Sequence, residues 1–300
     1  MMFKVVIEDF IMCTEHINIM IISTMPDMFA EHYYFIKDVF PDLKDICSKH
    51  DIELDYVDLL YSMSKEEFDN CRSVHRYFNS IDSDRTFYIC FRGQKLGCVP
   101  TYEDIDKDTL KEYPELVDYI GNISFTELTV MHAIHPFEKC EDGEIQKLSP
   151  VKHSLFYFRD DHYLDNLSKS QKAVYSCNPK CDDVFIQDLK LAMAKDLIVN
   201  DKQEFDKLKD SISNINIRKY KGMWYENADL LELIDDYTEE YAKLKNKSVD
   251  ELKTYYDKSS LKDSHGCFVD FKCDDKSLKE IMIDDFLNEL KLEFPENFNQ

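Results

Sequence analysis

Three short polar clusters in this chain have the residue types to do chemistry together. Ser23, Thr24 and Asp27 follow an apolar run in IISTMPD, and Arg92, Gly93 and Lys95 follow another in CFRGQK. Ser124 and Glu127, in SFTEL, open a helical pattern. Arg92 and Lys95 are phosphate-binding residue types, Ser23 and Thr24 are orienting hydroxyls, and Glu127 can face a cationic centre. Joined in one crevice, the set suits a phosphate-bearing ligand whose cationic part meets the acid. Over residues 71–100, Arg72, Arg76, Arg85, Arg92 and Lys95 stand against Asp82 and Asp84 alone, in an otherwise acidic chain. Each feature also has a plain structural reading. A charge run is commonly a solvated face, S-x-x-E is the sequence of a helix capping box, and acids such as Asp27 and Glu31 suit the first turn of a helix.

Other chemistries lack a signature. No GxxxxGK[ST] or GxGxxG appears, so neither a P-loop nor a Rossmann fingerprint is signalled. CNPKC (Cys177, Cys181) and HAIH (His132, His135) have no second half at zinc spacing and read as structural. Cys98 follows a glycine turn, but nothing in the sequence pairs a base with it. Trp224, the single tryptophan, reads as an anchor for C-terminal helices.

The elements that must position these groups alternate between short apolar runs and helical periodicity. That pattern predicts an α/β fold of three layers, with a mainly parallel sheet covered by helices. Strands are expected at INIMIIS, IELDYVDL, TFYICF, SLFYFRD and NINIRKY, with helices near 27–48, 65–79 and from Ser124. Pro41 should kink the first helix or restart it. An acidic loop is expected through Asp118, and further helices between the fourth and fifth strands. SLKEIMIDDFLNELKLEF predicts an amphipathic C-terminal helix whose apolar side carries Leu278, Ile281, Phe286, Leu287, Leu290 and Phe294. A flavodoxin-like strand order 2-1-3-4-5 would put the ligand crevice beyond the ends of strands one and three, where the polar clusters meet.

Composition narrows the partners. Sixty acidic against 37 basic side chains give a formal charge of −23, which opposes phosphate backbones and anionic membranes. No nucleic-acid partner, membrane span or metal is expected. The opening residues lack a cationic secretory n-region. Ten irregularly spaced cysteines read as buried thiols of a cytoplasmic protein.

Taken in order, ISTMPDMFAEHYYF, KDVFPDLKDIC, IELDYVDL, FYICFRGQKLGCVP, SFTELTV and FYFRDDHY resemble consecutive segments of a known module. It is the TIR-like N-terminal module of NACHT/STAND signalling ATPases of the telomerase-associated and nephrocystin type. IRKYKGMWY and FLNELKLEFP fit the same layout, so the resemblance spans about residues 19–297. It implies an N-terminal extension over 1–18, a TIR-like α/β domain over 19–225 and a helical C-terminal extension over 226–300. The chain departs from the family at Pro26 and His32, where arginines are usual, at the end of the second strand, where DLLYS from Asp58 replaces the usual Asp-Leu-Arg-Trp-Gly, and at Leu96 and Cys98, where aromatics are usual.

The resemblance implies two functions. TIR enzymes cleave the nicotinamide–ribose bond of NAD with one glutamate on the helix after strand three, and Glu127 matches that place. NAD would then be a substrate rather than a cofactor, with Ser23, Thr24, Asp27, Arg92, Gly93, Lys95 and Ser124 lining the site. The rival is a catalytically silent module that self-associates or docks on a STAND/NACHT ATPase. The missing arginines and aromatics favour the second reading, and the Ser124–Glu127 pair favours the first. A nucleoside-processing enzyme is a third reading, and it requires a pocket too small for a dinucleotide.

Overall fold

The computed structural model of the chain describes residues 15–24, 27–62, 66–67, 70–83, 85–95, 97–148, 151, 153–169, 172, 176, 216–252, 265–273 and 276–298. Its strands are β1 (Glu15–Ser23), β2 (Ile52–Val57), β3 (Thr86–Arg92), a small hairpin of β4 (Lys139–Glu141) and β5 (Glu144–Gln146), β6 (His153–Arg159), β7 (Asn216–Asp229), β8 (His265–Cys273) and β9 (Lys276–Ser277). The main sheet has the order β2-β1-β3-β6-β7-β8-β9. The pairs β1–β2, β1–β3, β3–β6 and β6–β7 are parallel. Counted alone, the parallel strands run 2-1-3-4-5, as the flavodoxin-like reading expects. Strand order reverses between β1 and β3, so their carboxyl ends open a crevice.

Alternation along the strands builds the three layers. Ile17, Ile19 and Ile21 of β1 join Phe87, Ile89 and Phe91 of β3 and Leu155 and Tyr157 of β6 in one core. Met20, Ile22, Tyr88, Cys90, Phe156 and Phe158 face the other way into a second core. With both faces covered, the central strands β3 and β6 read as apolar runs, and all seven residues of β3 are buried.

Among the described residues, the helices longer than one turn are α1 (Phe29–Tyr34), α2 (Phe40–Ser48), α3 (Ser73–Ile81), α4 (Lys107–Glu112), α5 (Phe125–Ile134), α6 (Leu230–Leu244) and α7 (Leu278–Glu293). Residues of α1, α2, α6 and α7 close the first core, while α3 and α5 close the second. A π-turn, Phe35–Val39, joins α1 to α2, and the Phe40 N–H bonds the Phe35 carbonyl. This is the discontinuity expected from Pro41, whose ring lacks an N–H and clashes within a regular helix.

Three local readings change. The helix expected over 65–79 is interrupted: residues 66–67 are helical, Cys71 takes a left-handed φ of 57°, and a helix then runs over Ser73–Ile81. The acidic stretch before Asp118 contains α4, capped by Asp106 accepting from the Asp108 and Thr109 N–H groups, and a 3₁₀ turn over Pro114–Asp118. The C-terminal part contributes not only helices but also β8, which pairs antiparallel with β7. Helices expected between the fourth and fifth strands, and the CNPKC pair, lie outside the described residues. The C-terminal helix forms as expected: Ser277 caps α7 in a capping box, and Leu278, Ile281, Phe286 and Leu290 are buried.

Candidate functional site

Ser23 ends β1, and its register partner is Phe91 of β3. The polar clusters following these two strands therefore meet at the carboxyl edge of the sheet. Arg159, the last residue of β6, reaches across this edge with no exposed surface. Its Nη1 donates to Glu31 Oε1 at 2.7 Å and to the Asp27 carbonyl at 3.0 Å, and its Nη2 donates to the Tyr163 hydroxyl at 3.2 Å. Nη2 also lies 3.6 Å from Asp27 Oδ2. A buried guanidinium is tolerable only when its fork is matched in this way.

Gly93 makes that crossing possible. A Cβ there would fall 2.6 Å from Asp27 Oδ2 and 2.8 Å from Arg159 Nη2. Burial pushes the Asp27 carboxyl up to about 7, while Arg159, the Thr24 hydroxyl and Lys95 pull it down and Glu31 raises it further.

Arg92 is also wholly buried, with its Nη2 3.8 Å from Glu127 Oε1. The other Glu127 oxygen accepts the Ser124 backbone N–H at 2.7 Å, and Ser124 Oγ accepts the Glu127 N–H at 3.3 Å. Ser124 and Glu127 thus form a complete capping box on α5. The His132 of HAIH is a satisfied core residue. It stacks 3.9 Å from the Phe78 ring, its Nε2 lies 2.8 Å from Asp82 Oδ1, and its Nδ1 accepts the Phe137 N–H.

Beside these ion pairs is a cavity of about 290 Å³. Ser23, Thr24, His32, Asp58, Cys98 and Thr126 supply its polar lining, and Ile21, Ile22, Leu59, Tyr77 and Phe125 its apolar walls. On its wall Ser23 Oγ is 2.6 Å from His32 Nε2, and His32 Nδ1 is 3.2 Å from Asp58 Oδ2. The hydroxyls of Tyr56 and Tyr237 donate to the same Asp58 oxygen. The Tyr237 ring meets the His32 ring edge-on, with centroids 5.8 Å apart, which fixes the imidazole plane.

Of the residues singled out in the sequence, Ser23 and Thr24 line the cavity. Asp27 and Gly93 belong to the Arg159 cluster, with Lys95 close enough to act on the Asp27 charge. Arg92, Ser124 and Glu127 form a separate buried group around the start of α5. Arg159, Glu31, His32 and Asp58 were not in the set. His32 sits where the resembling family has arginine, and that departure was the one signal that could have pointed to it. Asp58, directly after β2, opens the DLLYS string, which departs from the family only after its Asp-Leu start.

Fold and site together define an α/β chain of flavodoxin-like topology with a cavity of mixed lining at its switch point. The chain is 25% identical to mouse telomerase protein component 1 over 160 residues, which is 52% of this chain and 6% of that protein. The rat protein is 24% identical over 169 residues, 53% of this chain and 6% of the relative. A TPR repeat-containing protein of Dictyostelium discoideum is 23% identical over 52% of this chain and 9% of its own length. The chain therefore matches only a small fraction of each relative. No family model and no solved structure matches it. Among the described residues, no helix is long and apolar enough to cross a membrane.

Proposed function

We propose that this chain is a TIR-like interaction module of a NACHT/STAND-type signalling system, acting by self-association or by docking on an ATPase, and silent toward NAD. The observation that carries this reading is the state of Glu127. One of its oxygens takes the Ser124 N–H at 2.7 Å, the other turns to the buried Arg92, and the residue is not among those lining the cavity. A glycohydrolase needs a carboxylate near the ribose to stabilise an oxocarbenium-like sugar, and nicotinamide then departs without a general acid. Glu127 is instead committed to its own helix and to Arg92. The names of the relatives, a component of telomerase and a protein of TPR repeats, also suit a chain that works by holding other proteins.

The test is nicotinamide release from NAD by purified protein at high concentration with a crowding agent, alongside Glu127→Gln, with light scattering on the same samples. The reading expects concentration-dependent assembly and no release that depends on Glu127. Release by the wild type that is lost in a folded Glu127→Gln variant would replace it with the glycohydrolase reading.

A further inference from the structure

The cavity contains a hydrogen-bonded series that capping and packing do not require. Ser23 Oγ lies 2.6 Å from His32 Nε2, and His32 Nδ1 lies 3.2 Å from Asp58 Oδ2. His32 and Asp58 are buried, whereas Ser23 is half-buried, and all three border the cavity. A nucleophile open to a ligand, a base behind it and a buried acid orienting the base are the three roles of a serine acyl-transfer site. Two tyrosine hydroxyls, from Tyr56 on β2 and Tyr237 on α6, hold the acid in place.

We propose that Ser23, His32 and Asp58 form a nucleophile–base–acid relay through which the cavity hydrolyses small neutral carboxylic esters. Ser23 Oγ bonds to the ester carbonyl carbon as its proton passes to His32 Nε2. Collapse of the tetrahedral adduct breaks the bond to the alkoxy oxygen, which leaves as the alcohol with that proton. Water then attacks the acyl group on Ser23, giving its proton to Nε2. The carboxylic acid departs as the proton returns to Oγ. Asp58 accepts from Nδ1 throughout, keeping Nε2 free to take the proton. The first turn of α5 borders the cavity at Phe125 and Thr126, and the positive end of its dipole favours charge developing on the carbonyl oxygen.

The cavity limits the substrate. About 290 Å³ with Ile22, Leu59 and Phe125 among its walls admits a short acyl or aryl ester. The −23 charge of the chain disfavours anionic esters. Nothing in this proposal depends on the interaction reading or on Glu127.

The experiment treats the whole chain with diisopropyl fluorophosphate, locates the adduct by peptide mass spectrometry, and follows 4-nitrophenyl acetate hydrolysis in parallel. The expected result is a single phosphorylated residue, Ser23, with both labelling and hydrolysis absent in Ser23→Ala. His32→Gln should slow labelling by at least about 100-fold, the usual contribution of a general base. Should either variant fail to fold, the wild type decides by itself: Ser23 must be labelled in the native chain and not in urea. Labelling that is equal in both states, an adduct on Cys98 or a tyrosine, or no adduct at all overturns the proposal.

Discussion

Arg159 Nη1 donates a 2.7 Å hydrogen bond to Glu31 Oε1, joining the end of the fourth parallel strand to the first helix across 128 residues of chain. Both side chains are fully buried. Removing the cation leaves Glu31 without its charge partner and Asp27 without its neighbour. Arg159→Met should therefore cost about 3–5 kcal/mol of stability, as expected for breaking a buried pair. Urea denaturation at pH 7 measures it, and a cost below 1 kcal/mol would show that water replaces the guanidinium.

Gly93→Ala should destabilise the chain through overpacking rather than through backbone strain. The added methyl would press on Asp27 Oδ2 at 2.6 Å and Arg159 Nη2 at 2.8 Å, and neither group can retreat from a filled ion-pair cluster. A loss of about 1–3 kcal/mol is expected. Arg159→Met should relieve part of it, so the double variant should be less destabilised than the sum of the two singles.

Asp27 predicts a pH dependence. Its carboxyl is raised from 3.8 to about 7 by burial, so between those values the folded chain holds a proton that the unfolded chain has lost. The stabilisation from this group is complete below about pH 4 and is lost as pH rises through 7. Asp27→Asn mimics the protonated form. Relative to wild type, the variant should thus gain stability as pH rises from 4 to 7, by up to about 1.4 kcal/mol per pH unit. Paired denaturation curves across that range would check the sign, and a constant difference would contradict it.

Ser124→Ala should remove one arm of the α5 capping box and cost about 1 kcal/mol. Glu127→Ala should cost more than the cap alone, because it also removes the carboxylate that faces the buried Arg92. Thermal denaturation followed by circular dichroism ranks the two losses and separates them from global unfolding.

The central strands β3 and β6 were legible because each is covered on both faces and so appears as an apolar run, as in TFYICF and SLFYFR. The capping boxes at Ser124 and Ser277 were legible because a cap involves residues three positions apart. β8 was not read as a strand, although HGCFVDFKC is rich in apolar residues; its place in the sheet comes from antiparallel pairing with β7. The π-turn before Pro41 was only half legible: the proline announced a break but not its form.

The sequence by itself determined most of the elements and which strand ends carry polar residues. Those depend on periodicity and on contacts within a turn of chain. The tertiary structure alone decided which polar residues share a site. Asp58 receives the hydroxyl of Tyr237 across 179 residues and meets His32 across 26, and Arg159 meets Asp27 across 132. Hydrogen bonds act over about 3 Å. Only the order and twist of the sheet bring such distant residues within that reach, and no local pattern encodes it.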